Sequence, residues 1–278
     1  MTNETQTAKR APAGTPPFWA SRPVATELRG LVSTIVGYCE FGAGLTDDIE
    51  MATLVFPLVI GFGEPFEIAL GREPSADDRW HSFAAGLYPG PVLIRSHGRS
   101  HCIQVNFTPL GAYRFFGIPM SEFASRMVGI DELDAPEFGA LRQRLGNERG
   151  WERRLDLVER FVTRRIRHGP DGHAAVRHAF GAIMTARGNL RLSDLAEGLD
   201  CSRKYLAERF RTEFGLSPKS IARMARFQHA LARSRATLEP DWADIALSCG
   251  YADQAHFTRE FREFAGISPS RWRRAATG

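Results

Sequence analysis

Nine residues recur in this chain at a fixed step. FRTEFGLSP occupies 210–218 and FREFAGISP occupies 261–269, a step of 51, with Phe, Arg, Gly, Ser and Pro at matching places and Leu216 answered by Ile267. A repeat this close marks two copies of one small structural unit. The first copy opens with LRLSDLAEGLDCSRKYLAERF. Ser193 reads as an N-cap with Glu197 in the first turn, and Leu195, Ala196 and Leu199 form a buried face. LDC makes a break, and Ser202 caps a second helix whose apolar residues are Tyr205, Leu206, Phe210 and Phe214. The second copy reads DWADIALSCGYADQAHFTREF. Asp241 caps its first helix, Ile245 and Ala246 are buried, Gly250 lies at the turn, and Asp253 caps a helix with Phe257, Phe261 and Phe264 inside. Two short helices joined by a turn of a few residues are a helix-turn-helix. Gly215 and Gly266 fall where a helix C-terminus needs positive φ.

Between the copies, SPKSIARMARFQHALARSR (217–235) has a capping Ser followed by Pro at the first helical position. About 19 residues at 1.5 Å each give a rod of roughly 28 Å. Successive major-groove faces on one side of B-DNA lie roughly 34 Å apart, so such a rod suits two recognition helices in adjacent grooves. Charge agrees in direction. Residues 1–172 hold 19 Lys+Arg against 21 Asp+Glu, whereas 173–278 hold 17 against 11. A basic excess confined to the half with the repeat suits a polyanion, and nearly all of the cations are Arg, which can fork onto phosphate or a guanine edge.

The pattern LSDLA…S..YL...F....G.SP, a linker helix, then IA...GY.D..HF.R.F....G.SP..WR resembles the DNA-binding domain of AraC/XylS-type transcriptional regulators. The resemblance covers about 173–274 and includes the closing Ser268-Pro269 and Trp272-Arg273. It implies helix-turn-helix units at 193–215 and 241–266, with the N-terminal part of each second helix entering the groove. Arg203, Lys204 and Ala207 would then face bases in the first unit, and Gln254, Ala255, Thr258 and Arg259 in the second, with His256 nearby. Arg203 or Lys204 would read guanine, Gln254 adenine, and Arg259 guanine or phosphate, while the alanines offer only a methyl to thymine. Glu208 beside the duplex must accept from cytosine N4 or be repelled. Arg209, Arg211, Lys219, Arg262, Arg271, Arg273 and Arg274 are cast as phosphate contacts, which position without specifying. The plainer alternative for each is a solvated surface charge. Double-stranded promoter DNA is the implied partner, with RNA polymerase added for an activator.

The first half has another rhythm. TLVFPLVIGF, FEIAL, WHSFAAGLY, VLIRS and HCIQVNF are short apolar runs split by Gly/Pro/Asp turns, the signature of an antiparallel sandwich or barrel. After Pro109, PLGAYRFFG, SEFASRMVG and APEFGALRQRLG read as short helices. Trp151, Leu155, Val158, Val162 and Ile166 form one face of a longer helix, read either as a dimer helix or as packing on its own domain, with the dimer favoured. HGPDGH at 168–173 marks the domain boundary. The expected architecture is α+β: a tail at 1–22 without order, a cupin-like β-barrel with trailing helices at 23–167, for which the AraC/XylS resemblance implies sensing of a small-molecule effector or dimerisation, then an all-α domain at 173–278 with linker helix 217–235.

Phe56, Phe62, Phe66, Trp80, Phe83 and Tyr88 line either a small-molecule pocket or a packed core, and core is favoured. His97, His101 and Cys102 raise a metal reading only if both histidines share one strand and His81, Glu64 or Glu67 joins from another. Turn and surface histidines are the simpler account, so neither metal nor cofactor is expected. Cys39, Cys102, Cys201 and Cys249 lack CxxC spacing, which points to reduced thiols and a cytoplasmic protein. No apolar run reaches the roughly 18 residues of a membrane span. The chain has no GxSxG, P-loop or HExxH motif, so an enzyme is not expected. The alternatives are a metal-dependent β-barrel enzyme with accessory helices, or a protein-docking module.

Overall fold

The computed structural model of the chain describes residues 17–42, 45–133, 135–237 and 240–277. Its first half is two antiparallel sheets. Six strands, β1 (Phe18–Ser21), β2 (Val32–Cys39), β4 (Phe56–Gly61), β7 (Ser82–Ala85), β9 (His101–Phe107) and β10 (Met127–Gly129), lie in the order β1-β2-β9-β4-β7-β10. Four others, β3 (Thr46–Glu50), β5 (Phe66–Leu70), β6 (Arg79–Trp80) and β8 (Val92–Ser96), lie in the order β3-β8-β5-β6. The expected run of short strands is therefore present, and β1, β2, β3 and β10 join it.

Side-chain alternation explains why β4 and β9 read as nearly continuous apolar sequence. They pair with Leu58 opposite Val105 and Ile60 opposite Ile103, and these residues face the helices in the main core. Val59 and Cys102 point the other way and share a second cluster with Ile68 and Phe83 from between the sheets. A strand covered on both faces has no polar side to write into its sequence. Phe56 goes to the helical side, against Phe116 and Phe123, whereas Phe66, Trp80 and Phe83 fill the space between sheets. Burial pushes the Cys39 thiol up to about 11 and the Cys102 thiol up to about 12, which leaves both unreactive at neutral pH.

The helical layer consists of α1 (Pro109–Phe116), α2 (Glu137–Asn147) and α3 (Trp151–His168). Two expectations change here. SEFASRMVG forms a 3₁₀ turn at Met120–Phe123 and then β10, because Met127–Gly129 finds an open sheet edge beside β7. The α3 stripe of Leu155, Val158, Val162 and Ile166 is buried within the chain and packs on α1 and β2, so that face is not available as a dimer helix. The tail also ends earlier than expected. Phe18–Ser21 pairs with β2, and Arg22 bridges Asp156 and Glu159 on α3; residues 1–16 lie outside the described residues.

The second half is helical throughout: α4 (Ala174–Thr185), α5 (Leu192–Gly198), α6 (Arg203–Phe214), α7 (Pro218–Ala236), α8 (Trp242–Ser248), α9 (Gln254–Ala265) and α10 (Pro269–Thr277). Residues 169–173 separate it from α3, yet one hydrophobic cluster runs through both halves. The C-terminal half of α6 carries the join. It packs against α1 and the Met120–Phe123 turn, and Glu213 accepts from the His173 backbone N–H at 3.0 and 3.1 Å. A second join includes the bond in which the Ala52 N–H donates to the Phe264 carbonyl at the end of α9 at 2.9 Å.

Candidate nucleic-acid interface

The two copies of the repeat fold alike at their ends. Ser202 accepts from the Tyr205 N–H at 3.1 Å, and Asp253 accepts from the His256 N–H at 2.6 Å, so each second helix starts on a side-chain cap. Each stops at a glycine in the left-handed region, Gly215 at φ 78° and Gly266 at φ 74°. Asp241 caps α8 and Ser217 caps α7 as expected, with Pro218 at the first helical position. Ser193 does not cap α5. The N-cap there is Arg191, without a side-chain bond, and the Ser193 hydroxyl turns to Asp194.

The step of 51 carries Arg203 onto Gln254, Lys204 onto Ala255, Ala207 onto Thr258 and Glu208 onto Arg259. At 100° per residue the members of each set lie on one side of the first turn and a half of their helix. Arg203, Lys204, Gln254, Ala255 and Arg259 are exposed, and Ala207 and Thr258 are half-buried beneath them. Opposite them, Leu206, Phe210, Phe257 and Phe261 are buried, the last three completely. The two surfaces differ in chemistry. The first is cationic with Glu208 at its end, whereas the second has an amide, a hydroxyl and one guanidinium.

Of the cations cast against phosphate, Arg211, Lys219, Arg262, Arg271 and Arg274 are exposed. Arg209 is also exposed, with its guanidinium 5.3 Å from the Tyr205 ring centre. Arg273 differs: it is half-buried and donates to the Thr237 carbonyl at 2.9 Å, so it ties α10 to the end of α7. Between α7 and α9 runs a groove of about 600 Å³. Lys219, His256 and Arg259 line it, and Glu260 and Glu263 form part of its wall.

Sequence reasoning passed over two carboxylates that matter to this geometry. Glu260 is only 3% exposed, yet it sits between Arg223 and Arg226 of α7. Bonding to Glu263 and then to Glu260 holds the Arg223 guanidinium above its ordinary pKa against the opposing effect of burial. Burial and the Glu260 charge push the Tyr251 hydroxyl up as well. Glu213 is also 3% exposed, and burial raises its carboxyl pKa against the pull of the His173 N–H. A signal was there to read: Glu213 follows Phe210 by three residues, and Glu260 follows Phe257 by three, so both lie on the apolar stripes of their helices.

In the first half, the two histidines of HGRSHC do not share a strand. His97 follows β8 and meets Glu67 at 3.0 Å, while His101 opens β9 and packs beside Phe41 and Phe62. Among the described residues no group of three His, Cys, Asp or Glu side chains is placed to hold a metal ion. Between the sheets, Val59, Ile68, Phe83, Tyr88 and Gln104 line a cavity of about 80 Å³.

Comparison with known proteins supports the assignment of the second half. The helix-turn-helix domain profile matches residues 195–275. The chain is 35% identical over 123 residues to the Msm operon regulatory protein of Streptococcus mutans, covering 42% of this chain and 43% of that protein. It is 31% identical over 85 residues to the transcriptional activator RhaR of Escherichia coli, covering 30% of this chain and 29% of RhaR. The chain thus spans less than half the length of these curated relatives. Among solved structures, ToxT of Vibrio cholerae aligns with 84% of this chain and 97% of its own at 11% identity and a TM-score of 0.46. The matched residues 195–275, which hold both side-chain-capped helices α6 and α9, are a helix-turn-helix domain.

Proposed function

We propose that the chain is a sequence-specific transcription regulator, not an enzyme, that grips promoter DNA through α6 and α9 and is governed by its β-rich half. The observation that carries this reading is the pair of capped helices, related by the repeat, that turn matching sets of side chains outward while their apolar faces are fully packed. Arg203, Lys204 and Ala207, with Gln254, Ala255, Thr258 and Arg259, face base edges. Arg209, Arg211, Lys219, Arg262 and Arg271 meet phosphates, and Arg273 contributes by holding α10.

The controlling input is a small-molecule effector or self-association at residues 23–167. A drug-sized ligand needs roughly 300–1,000 Å³, whereas the space between the sheets is about 80 Å³, so such an effector enters only as the sheets part. Ala52 and Val55 line both this cavity and the open cleft facing the second half, and Ala52 also holds the end of α9. Movement there would be felt directly by the second unit. No helix among the described residues is long and apolar enough to cross a membrane. The reading places the protein in the cytoplasm, as a homodimer where two operator copies are present, with RNA polymerase as a partner if it activates.

Selection of bound duplexes from a random DNA pool tests this reading. A motif of two boxes about one helical turn apart is the expected result. Arg259→Ala should weaken the selected duplex by about 1–3 kcal/mol and leave random duplex nearly unchanged, whereas Arg271→Ala weakens all DNA alike and flattens the salt slope. Equal affinity for selected and random duplexes at every salt concentration defeats the reading.

A further inference from the structure

We propose that Glu260 is the positioning residue that sets α9 against α7, and that it thereby fixes the base-pair spacing the chain accepts between its two boxes. The inference rests on the DNA-reading function above and concerns how the two readers are held relative to one another.

Glu260 lies on the side of α9 roughly opposite to Gln254, Ala255, Thr258 and Arg259. It touches no base in that arrangement, and its carboxylate is nearly sealed from solvent at 3% exposure. Two guanidinium groups from α7 hold it. Arg223 Nε donates to Glu260 Oε2 at 2.8 Å, and Arg226 Nη2 approaches both carboxylate oxygens at 3.3 and 3.4 Å. Arg223 and Arg226 are three residues apart, so they stand on one face of α7 about a turn apart. Arg223 extends the clamp to Glu263 at 2.5 Å and lies 5.0 Å from the Phe264 ring centre. Arg226 lies 4.8 Å from the ring centre of Tyr251, in the turn just before α9. Linker helix, turn and recognition helix are thus joined at one charged centre.

A buried ion pair is a poor way to gain stability, because desolvation consumes most of the attraction. Its use is geometric. Apolar side chains pack tolerably at several offsets, whereas a buried carboxylate between two planar forks is satisfied at very few. In the first unit the position 51 residues earlier is Arg209, exposed over Tyr205, so no such clamp exists there. The first reader takes its position from the N-terminal half. The second takes its position from α7, and α7 follows α6 directly across the Gly215–Ser217 turn. The angle between α7 and α9 therefore converts into a distance along DNA.

The test uses the full chain and a duplex returned by the random-pool selection, remade with the spacer between boxes one base pair longer or shorter. Wild type should lose about tenfold or more in affinity for each change of spacing, as for a mismatch in a specific site. Glu260→Gln should lose about tenfold on the preferred duplex and differ less than about threefold among the three spacings, while staying within about twofold of wild type on a duplex with only the second box. Arg223→Gln, which leaves Glu260 with Arg226, should fall between the two; it keeps the test alive if Glu260→Gln melts well below wild type. The inference is overturned if folded Glu260→Gln keeps the full spacing preference, or if it loses equally on every duplex, random ones included. A wild-type protein that selects two boxes but tolerates any spacing also overturns it and leaves the DNA-reading function standing. A wild-type protein that selects no sequence removes both.

Discussion

The two helix-turn-helix units share their caps, stops and apolar positions, yet the chain anchors them by different means. The first recognition helix, α6, is part of the larger body. It packs against α1 and the Met120–Phe123 turn, and Glu213 holds the His173 backbone in the segment between the halves. The second, α9, is held by α7 through Glu260 and is tied to the first half by the Ala52–Phe264 backbone bond. The repeat presents the same helical element twice, and the buried carboxylate on each apolar stripe mounts it differently. On the proposed function, a signal arising in the β-rich half would reach α6 and α9 by separate routes.

Removing a core ring should expose this difference most strongly. Phe210 and Phe261 are both fully buried, and each change to Ala should cost about 3–5 kcal/mol. Phe210→Ala should speed amide exchange in α1 and the Met120–Phe123 turn along with α6, while Phe261→Ala should leave α1 protected. Identical exchange patterns for the two variants would mean that the anchors are not distinct.

The glycine stops give a smaller contrast. A side chain at positive φ costs roughly 1–3 kcal/mol. Gly215→Ala belongs at the upper end, because its Cβ would meet the Met120 carbonyl oxygen at 2.8 Å, whereas Gly266→Ala would meet the Pro91 ring at 3.2 Å. Chemical denaturation of both variants ranks them; a larger loss at Gly266 would reverse the assignment of the tighter join.

Caps come next, at about 1 kcal/mol each. Asp253→Ala should cost slightly more than Ser202→Ala, since a carboxylate also meets the positive end of its helix. Loss of operator affinity confined to the second box for Asp253→Ala would show that the units engage DNA separately.

The smallest effect is a pH response. Burial foremost, together with the Arg154 charge and against the pull of Glu40, holds the His101 pKa below its ordinary 6.5. A base with a depressed folded pKa supports the fold above its unfolded value, and that support drains away as pH falls below about 6.5. His101→Gln should flatten the stability decline on that acid side, measured by thermal midpoints. In wild type the same acid shift should loosen α6 before α9, because α6 packs directly on α1 and the Met120–Phe123 turn. Simultaneous loosening would argue for one rigid unit.

Much of the second half was open to inspection in the chain itself. Ser202, Asp253, Gly215 and Gly266 act within a few residues of where they stand, so the chain alone determined where the recognition helices begin and end. The short strands from Phe56 to Phe107 were equally plain, because apolar runs and turn residues are local features. Long-range partnership was not. Met127–Gly129 is a strand only because β7 leaves an edge beside it, and the α3 stripe reads the same whether it meets a second copy or its own sheet. Glu213 and Glu260 stand on the apolar stripes of their helices, but the groups that meet them there come from forty and thirty-four residues away or more. Capping and periodicity are settled by neighbours along the chain, whereas a buried charge is settled by what the fold brings against it, and only the tertiary structure decides that.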